Sequence, residues 1–365
     1  MDKEKISPFQ LFCLMYLFEL GSSIVVGVGL QAKQDAWLAI LLGMMSGLVL
    51  FLIYSYLFFR FPNQTLIGYI PKLVGKYIGI PLSFIYVLYF LYIAARVLRD
   101  FGDLLITSTL RQTPLLVVNG LMILLISFGI AKGIEGIGRT SELVFLLISL
   151  LGFIGIIVIV FSGIVKIENL LPFFENGWKP ILSTVFKQTY TFPFGEMVVF
   201  TMILPYLNKP HLGRRVGLFA MLASGIVLSV TIAIEISILG PIAVAANQFP
   251  LLETISRVNI ANFIQRLDVI VVATLILGVF IKIMIFFYAG FVGVVEIFHL
   301  TKKNHITYCI LALSVLILIS SIKIASNFTE HIQIGLKWVP LYLHLPLQTG
   351  VPLILFIIAL IRKVT

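Results

Sequence analysis

The chain has 365 residues, of which 60% are hydrophobic and 12% are charged, and its mean hydropathy is +1.09. A soluble domain carries about 25% charged residues, so this composition excludes an ordinary soluble protein and predicts a polytopic membrane protein. The net charge of +10 does not indicate nucleic-acid binding, because the sequence has no basic soluble segment interleaved with aromatic residues. Lys and Arg gathered in cytoplasmic loops explain the charge.

The first apolar run, residues 9–30, is long enough to cross a bilayer, which takes about 20 residues. Its middle carries Glu19, followed by Gly21, Ser22 and Ser23. A carboxylate at mid-membrane is costly and normally faces protein or water. The Gly-Ser-Ser sequence favours an opened helix, and open backbone at membrane depth is tolerated only where it lines a cavity or is buried in protein. The run therefore predicts a broken helix around a binding site.

Nine further apolar runs complete the prediction of an all-α integral membrane protein with ten transmembrane helices. They cover residues 36–59, 81–110, 114–130, 141–161, 181–207, 216–239, 267–298, 305–322 and 339–361. Gly43-x-x-x-Gly47 in span two allows close helix packing, and Pro346, Gly350 and Pro352 predict kinks in span ten.

Two connecting segments predict helices that do not cross the membrane. Residues 60–80 mix apolar side chains with Lys72 and Lys76, which indicates an interfacial helix. Residues 241–266 are polar or weakly amphipathic and predict a helical cap between spans seven and eight. No segment indicates a separate soluble domain, so residues 1–365 predict a single transmembrane domain.

Span six is interrupted by the Phe-Pro-Phe-Gly-Glu sequence at 192–196, five spans after the first break. Matching interruptions in two halves point to a transporter-like binding site. Five spans is an odd number, so the second half starts from the opposite membrane face and the repeats are inverted. The expected repeats cover about residues 9–163 and 181–322, and the helix at 339–361 belongs to the second half.

The residues expected to bind a ligand lie at the two breaks: Gly21, Ser22, Ser23, Phe192, Phe194, Gly195 and Glu196. A freed helix N-terminus suits a carboxylate, and unwound carbonyls suit an ammonium or a cation, so a zwitterion is a natural ligand. Glu196 is the leading candidate, because an acid after a Pro-Phe-Gly break indicates either function or an ion pair. Phe192 and Phe194 would cover the ligand or simply pack in the core.

Four charged residues of span three, Arg96, Arg99, Asp100 and Asp103, share one helix face. Arg96 is expected to reach Asp100, and Arg99 to reach Asp103. Two interpretations remain open: a self-neutralised stripe packed against the bundle, or the wall of a gate or water-lined pathway.

Lys282 in span eight has no acid nearby in the sequence, and an unpaired buried ammonium is costly. Its expected partner is Glu19, Glu196 or a carboxylate of span three. The pair would be structural, or the lysine would take the place of an ion. Glu19 is expected at a gate or in an ion pair, or near the water-filled side of the bundle. The ligand site is expected between spans one, three, six and eight.

The distribution of Lys and Arg predicts that both termini are cytoplasmic, since fourteen fall on that side and nine on the other. The fourteen are Lys3, Lys5, Arg60, Lys72, Lys76, Lys132, Arg139, Lys209, Arg214, Arg215, Lys302, Lys303, Arg362 and Lys363. The nine are Lys33, Arg111, Lys166, Lys179, Lys187, Arg257, Arg266, Lys323 and Lys337.

No enzyme motif is found. The five histidines form no H-E-x-x-H or other metal-binding spacing. The sequence also lacks a phosphate-binding loop, a dinucleotide-binding fingerprint and a Gly-x-Ser-x-Gly motif. The sequence therefore predicts no catalytic residues, no metal and no cofactor.

The chain resembles the B subunits of spore germination nutrient receptors, the spore permease family of the amino acid–polyamine–organocation superfamily. The resemblance is carried by Gly21-Ser22-Ser23 with Gly27 and Gly29, by the sequence at 192–196, by the interfacial segment and by the loop at 211–215. It implies a LeuT-like fold of 5+5 inverted repeats with helices one and six broken.

The resemblance further implies a subunit in the spore inner membrane that works beside A-type and C-type subunits. It would bind a small nutrient, typically an amino acid, in a mid-membrane pocket and trigger germination. The alternatives are a proton-coupled amino-acid transporter, using Lys282 or Glu196, and a passive subunit with a vestigial pocket.

Overall fold

A computed structural model of the chain describes residues 4–258 and 268–362. The described residues form fourteen α-helices. These are α1 (Pro8–Val26), α2 (Ala36–Arg60), α3 (Leu66–Val74), α4 (Lys76–Ser108), α5 (Leu115–Ala131), α6 (Gly133–Ser162), α7 (Trp178–Thr184), α8 (Gly213–Leu239), α9 (Pro241–Ala246), α10 (Pro250–Ser256), α11 (Asp268–Ile297), α12 (Lys303–Lys323), α13 (Phe328–Gln333) and α14 (Val351–Ile361).

The predicted spans correspond to these elements. Within the described residues, seven helices are long and apolar enough to cross a membrane, and α1 and α5 are shorter apolar helices. The sixth predicted span is built from short pieces: α7, a π-helix at Val185–Thr189, and 3₁₀ turns at Phe194–Met202 and Leu204–Tyr206. Lys3, Arg266, Leu267 and Lys363, which entered the charge count or the span boundaries, lie outside the described residues.

The two connections predicted as short helices are helical. The interfacial helix is α3, whose first turn is capped by the Thr65 hydroxyl accepting from the Gly68 amide at 3.2 Å. Thr65 also hydrogen-bonds Glu296 at the end of α11. The cap between spans seven and eight contains α9 and α10. The remainder of that predicted segment, from residue 259, lies outside the described residues.

Helices α1, α4 and α11 form the interior of the bundle. α11 packs along α4, and α1 packs between α8 and α11. Gly43 and Gly47 of α2 let span six approach closely, because a Cβ at Gly43 would lie 2.6 Å from the Cβ of Thr189. The Thr189 hydroxyl donates to the Ala39 carbonyl at 2.8 Å, so the close approach also satisfies a polar group. The close packing predicted from the glycine spacing is thus observed.

Span ten differs from a kinked α-helix. Residues Ile334–Trp338 and Pro340–Gly350 wind as π-helix, and regular α-helix starts only at α14. π-helix is rare and tends to occur at functional sites. Its wide turns carry His344 and Gln348 into the interior, where both are buried.

Candidate functional site

The break in the first span lies at Gly21. This residue leaves helical geometry, with φ 0° and ψ −116°, while helix assignment resumes through Val26. A second interruption follows at Gly27, with φ 64°, and Gly29, with φ 81°. The opening is therefore narrower than the predicted three-residue Gly-Ser-Ser break. Ser22 keeps a helical position, but its hydroxyl is buried without a hydrogen-bond partner among the described residues.

The break in the sixth span lies where the sequence predicts it. The π-helix ends at Thr189, a turn covers residues 190–193, and a 3₁₀ helix starts at Phe194. The amide of Glu196 donates to the carbonyl of Pro193 at 3.0 Å, which fixes the acid just after the turn. Glu196 is only 2% exposed.

Lys282 joins the two breaks. Its Nζ lies 2.7 Å from Oε2 of Glu196, and the two side chains are 0% and 2% exposed. The ammonium also lies over the rings of Phe18 and Phe192, at 4.9 and 4.7 Å from their centroids. The lysine stem runs past Gly21, where an added Cβ would lie 2.8 Å from its Cδ. Of the partners expected for Lys282, the structure pairs it with Glu196.

A central pocket with a volume of about 40 Å³ lies beside this ion pair. Its lining combines α1, α4, span six, α13, the π-helix at Ile334–Trp338 and span ten. The lining residues are Ser22, Val26, Ile93, Arg96, Val97, Asp100, Phe192, Glu196, Ile332, Gly335, Leu336, Val339 and His344. Nη1 of Arg96 is buried without a hydrogen-bond partner among the described residues. Together with the Ser22 hydroxyl, the pocket therefore holds two unused donors beside two carboxylates.

The polar stripe of α4 is only half self-neutralised. Arg99 pairs with Asp103 at 2.7 Å, as predicted, and also donates to the Ile322 and Ala325 carbonyls at the end of α12. The predicted Arg96–Asp100 pair was wrong. Arg96 instead donates to the backbone carbonyl of His331 at 2.7 Å.

His331 takes the position that Arg96 was expected to occupy. Its ring Nε2 lies 2.7 Å from Oδ1 of Asp100, so α13 is tied to α4 through both its side chain and its backbone. The binding partner of Asp100 therefore comes from 231 residues away in the chain. Spacing along α4 cannot reveal such a partner.

The fourth wall of the pocket is formed by α13, the π-helix at Ile334–Trp338 and the start of span ten. The sequence places the ligand site against span eight, and that location stays a prediction. Lys282 of α11 stands behind Glu196, whereas His344 lines the cavity. The Tyr89 hydroxyl lies 2.8 Å from Nδ1 of His344 and accepts from Gln348 at 2.8 Å. His344 and Gln348 stand four residues apart in an apolar span, and this polar pair is the sequence signal that indicates a shared polar contact in the interior.

The other predicted site residues do not line the central pocket. Phe194 packs against α2, where a Cβ on Gly47 would meet its Cβ. Gly195 lies between Gln348 and the carbonyl of Tyr190. Glu19 is 0% exposed, and neither carboxylate oxygen has a hydrogen-bond partner among the described residues. Five further predicted residues do not line the central pocket: Gly21, Ser23, Arg99, Asp103 and Lys282.

A wider vestibule of about 280 Å³ lies next to the pocket. The two cavities share three apolar lining residues, Val26, Ile332 and Leu336. Amide and hydroxyl side chains dominate the polar lining of the vestibule: Gln31, Gln188, Asn247, Gln248, Thr329 and Gln333. The central pocket is thus the smaller of two neighbouring cavities, and apolar side chains are common to both.

Comparison with known proteins identifies the family. A family model described as spore germination protein matches residues 5–329. The chain is 43% identical over 363 residues to spore germination protein KB of Bacillus subtilis (strain 168), covering 100% of this chain and 96% of that protein. The chain belongs to the spore germination protein family. Within this family, spore germination protein YndE of the same strain is 24% identical over 335 residues, covering 91% of this chain and 88% of YndE.

Solved structures place this spore germination protein in the LeuT-like fold. The nucleobase-cation-symport-1 family transporter Mhp1, in a closed conformation with bromovinylhydantoin bound, aligns with a TM-score of 0.68 and 12% identity, covering 92% of this chain and 75% of Mhp1. MhsT in complex with L-phenylalanine aligns with a TM-score of 0.63 and 17% identity, covering 97% of this chain and 90% of MhsT. The predicted family and fold are confirmed, and the repeat boundaries stay a prediction.

Proposed function

We propose that this chain is the ligand-sensing subunit of a spore germinant receptor and that it binds a small nutrient, an amino acid, in the central pocket. The observation that carries the proposal is the set of charges around that pocket. Nη1 of Arg96 and the Ser22 hydroxyl are unused donors suited to a carboxylate. Glu196 and Asp100 are suited to an ammonium, and all four groups line one cavity.

The size of the cavity indicates that binding requires a change of conformation. Ligand pockets commonly measure about 300–1,000 Å³, whereas the central pocket measures about 40 Å³. Displacement of Val26, Ile332 and Leu336 would join it to the vestibule of about 280 Å³. A nutrient that binds the joined cavity more tightly than the closed one would shift the population, and this shift is the signal we propose.

The cellular setting is also part of the proposal. We infer that the chain lies in the spore inner membrane with both termini on the core side, beside A-type and C-type receptor subunits. The ligand-induced movement would be passed to those subunits, which would trigger germination. Co-purification of the three subunits from spores, with this chain as the bait, tests the assembly. The control bait is a version of this chain from which the segments outside the membrane have been removed.

Binding is tested with the full chain in lipid nanodiscs. Each of the common amino acids is added in turn, and the unfolding temperature is measured. We expect at least one to stabilise the wild type in a saturable way. Arg96→Gln should weaken that binding at least about tenfold, because a hydrogen bond to a charged group is lost. Arg139→Gln, at an exposed ion pair with Glu135, is the matched control. Equal affinities in the two variants would contradict the assignment.

A second function, proton-coupled amino-acid transport, is favoured by the buried Lys282–Glu196 pair, because it holds a carboxylate beside the pocket where a transported proton would bind. The fold supports both functions. Uptake of labelled amino acid into liposomes that contain only this chain separates them. Saturable accumulation driven by a pH gradient would identify a transporter, whereas binding without accumulation supports the receptor.

A further inference from the structure

A second polar cavity lies between α1, α2 and α8, apart from the central pocket. It is small, about 10 Å³, and this is about the room that one water-sized particle occupies. Its polar lining consists of Ser23, Thr231 and Glu235, and its apolar lining includes Ile40 and Leu228. None of these residues lines the central pocket.

Two groups in this cavity are buried without a partner. Glu235 is 2% exposed, and its Oε2 has no hydrogen-bond partner among the described residues. Ser23 is 1% exposed, and its hydroxyl is equally unpaired within that part of the chain. No Lys, Arg or His of the described residues forms an ion pair with Glu235, unlike Glu196 with Lys282. A buried carboxylate without a counter-charge is costly, so Glu235 requires either a proton or a bound cation.

The backbone around the cavity favours a cation as well. Ile24, Gly27 and Val28 line it, and α1 ends at Val26. The last four carbonyls of a helix have no partner within that helix. Each polar side chain that lines the cavity carries an oxygen, the ligand type that hard cations prefer.

We propose that this cavity is a binding site for a monovalent alkali cation. The Glu235 carboxylate supplies the charge, the Ser23 and Thr231 hydroxyls supply neutral oxygens, and the carbonyl end of α1 completes the shell. A single carboxylate balances one positive charge, and the volume admits one ion. Divalent ions would leave an uncompensated charge in an apolar surrounding.

Helix α1 connects the proposed cation site with the central pocket. Ser22 lines the pocket and Ser23 lines the cation cavity, so successive residues of α1 face the two sites. A cation held at Ser23 would fix the segment between Gly21 and Gly27, whose backbone is irregular at both ends. The proposal itself stands without a ligand in the central pocket.

The test uses the full chain in nanodiscs at constant pH and ionic strength. Choline chloride is replaced stepwise by NaCl or KCl, while the unfolding temperature and the binding of ²²Na⁺ or ⁸⁶Rb⁺ are measured. We expect saturable binding of one ion per chain. Glu235→Gln, which keeps the shape and removes the charge, should abolish it, and Ser23→Ala should weaken it at least about tenfold. Glu135→Gln, at an exposed pair on α6, is the control and should bind as the wild type does.

Several results would overturn the site. Choline could stabilise the wild type as well as sodium or potassium does, Glu235→Gln could retain ion binding, or the wild type could bind neither ion. The last result would leave Glu235 with a proton only. If Glu235→Gln does not fold, Ser23→Ala and Thr231→Val decide, since unchanged ion affinity in both would contradict the proposal. Arg96→Gln tests the nutrient site separately, so the two proposals can fail independently.

Discussion

At the scale of single residues, the site depends on a buried ion pair between two interrupted segments. Lys282 and Glu196 are both buried, and the aromatic rings of Phe18 and Phe192 flank the ammonium. Bringing both charges out of water is costly, but leaving one of them alone costs more. The pair therefore holds the sixth span against α11 and leaves Glu196 beside the pocket.

A double-mutant cycle measures how much the contact between Lys282 and Glu196 contributes to the stability of the fold. Lys282→Met and Glu196→Gln should each lower the free energy of unfolding by about 3–5 kcal/mol, because each leaves an uncompensated partner. The double variant should lose far less than the sum of the two. Chemical denaturation in a mixed detergent system measures the three values. Simple additivity would contradict a direct pair.

The residue scale also shows where sequence reasoning stops. Lys282 and Glu196 were identifiable because a single charge in an apolar run stands out. Their mutual contact was one of three alternatives. The His331 contacts with Arg96 and Asp100 were not predictable, because they depend on how α13 folds over the end of α4. Local spacing favoured the wrong partner for Arg96.

At the scale of elements, two glycines of α2 allow span six to pack closely against that helix. Gly43 and Gly47 lie on the face that touches Thr189 and Phe194. The sequence predicted close packing from the four-residue spacing, but not which helix packs there. Small residues permit close contact in membranes, where helices gain little from hydrophobic burial alone.

Gly43→Ala should lower the free energy of unfolding by about 1–3 kcal/mol, because its Cβ would lie 2.6 Å from the Cβ of Thr189 and 2.8 Å from the Thr189 carbonyl carbon. The matched control is Gly120→Ala in α5, where an added Cβ meets no atom within 4 Å. That control should be neutral or stabilising, since Ala favours helix over Gly. Unfolding midpoints of the two variants, measured side by side, check this, and equal losses would rule out the packing argument.

The π-helical part of span ten is the element that sequence reasoning described least well. Proline and glycine in an apolar run predicted kinks, whereas the structure has wide helical turns held by tyrosines of neighbouring helices. The Tyr86 hydroxyl donates to the Leu347 carbonyl at 2.6 Å, and the Tyr54 hydroxyl donates to the Gln348 carbonyl at 2.6 Å. These bonds come from α4 and α2, so only the tertiary fold selects the π form.

Tyr89→Phe tests whether the polar contacts of span ten stabilise it. Loss of the hydroxyl removes a partner from His344 and from Gln348 and should cost about 1–3 kcal/mol of unfolding free energy. Tyr92→Phe on the same helix, whose hydroxyl makes no hydrogen bond with a described residue, is the control. Indistinguishable stabilities of the two variants would show that the network contributes nothing.

At the scale of the whole molecule, residues distant in the chain meet at two places. Val26 of α1 and Ile332 and Leu336 of the segment before span ten line both the pocket and the vestibule. The chain before α1 is fixed to the end of span six, since the Ile6 amide donates to the Tyr206 carbonyl at 2.9 Å. The sequence predicted the family, the fold and the two breaks, because hydropathy and helix-breaking residues are local. The lining that the two cavities share combines residues distant in the chain and was not predictable.

Ligand protection of a cysteine at position 22 tests most directly whether the two breaks form a nutrient site. Ser22→Cys is made in a background with Cys13 and Cys309 replaced by Ala, and its maleimide labelling is timed in nanodiscs with and without the amino acid that stabilises the wild type most. Gln112→Cys, at an exposed turn, serves as the control. Maleimide reaches position 22 only when the pocket and the vestibule are joined, and a bound amino acid would then occupy the joined cavity. We predict that saturating amino acid slows labelling at position 22 at least about tenfold and leaves position 112 unaffected. Labelling of position 22 at the same rate in both conditions would contradict the site.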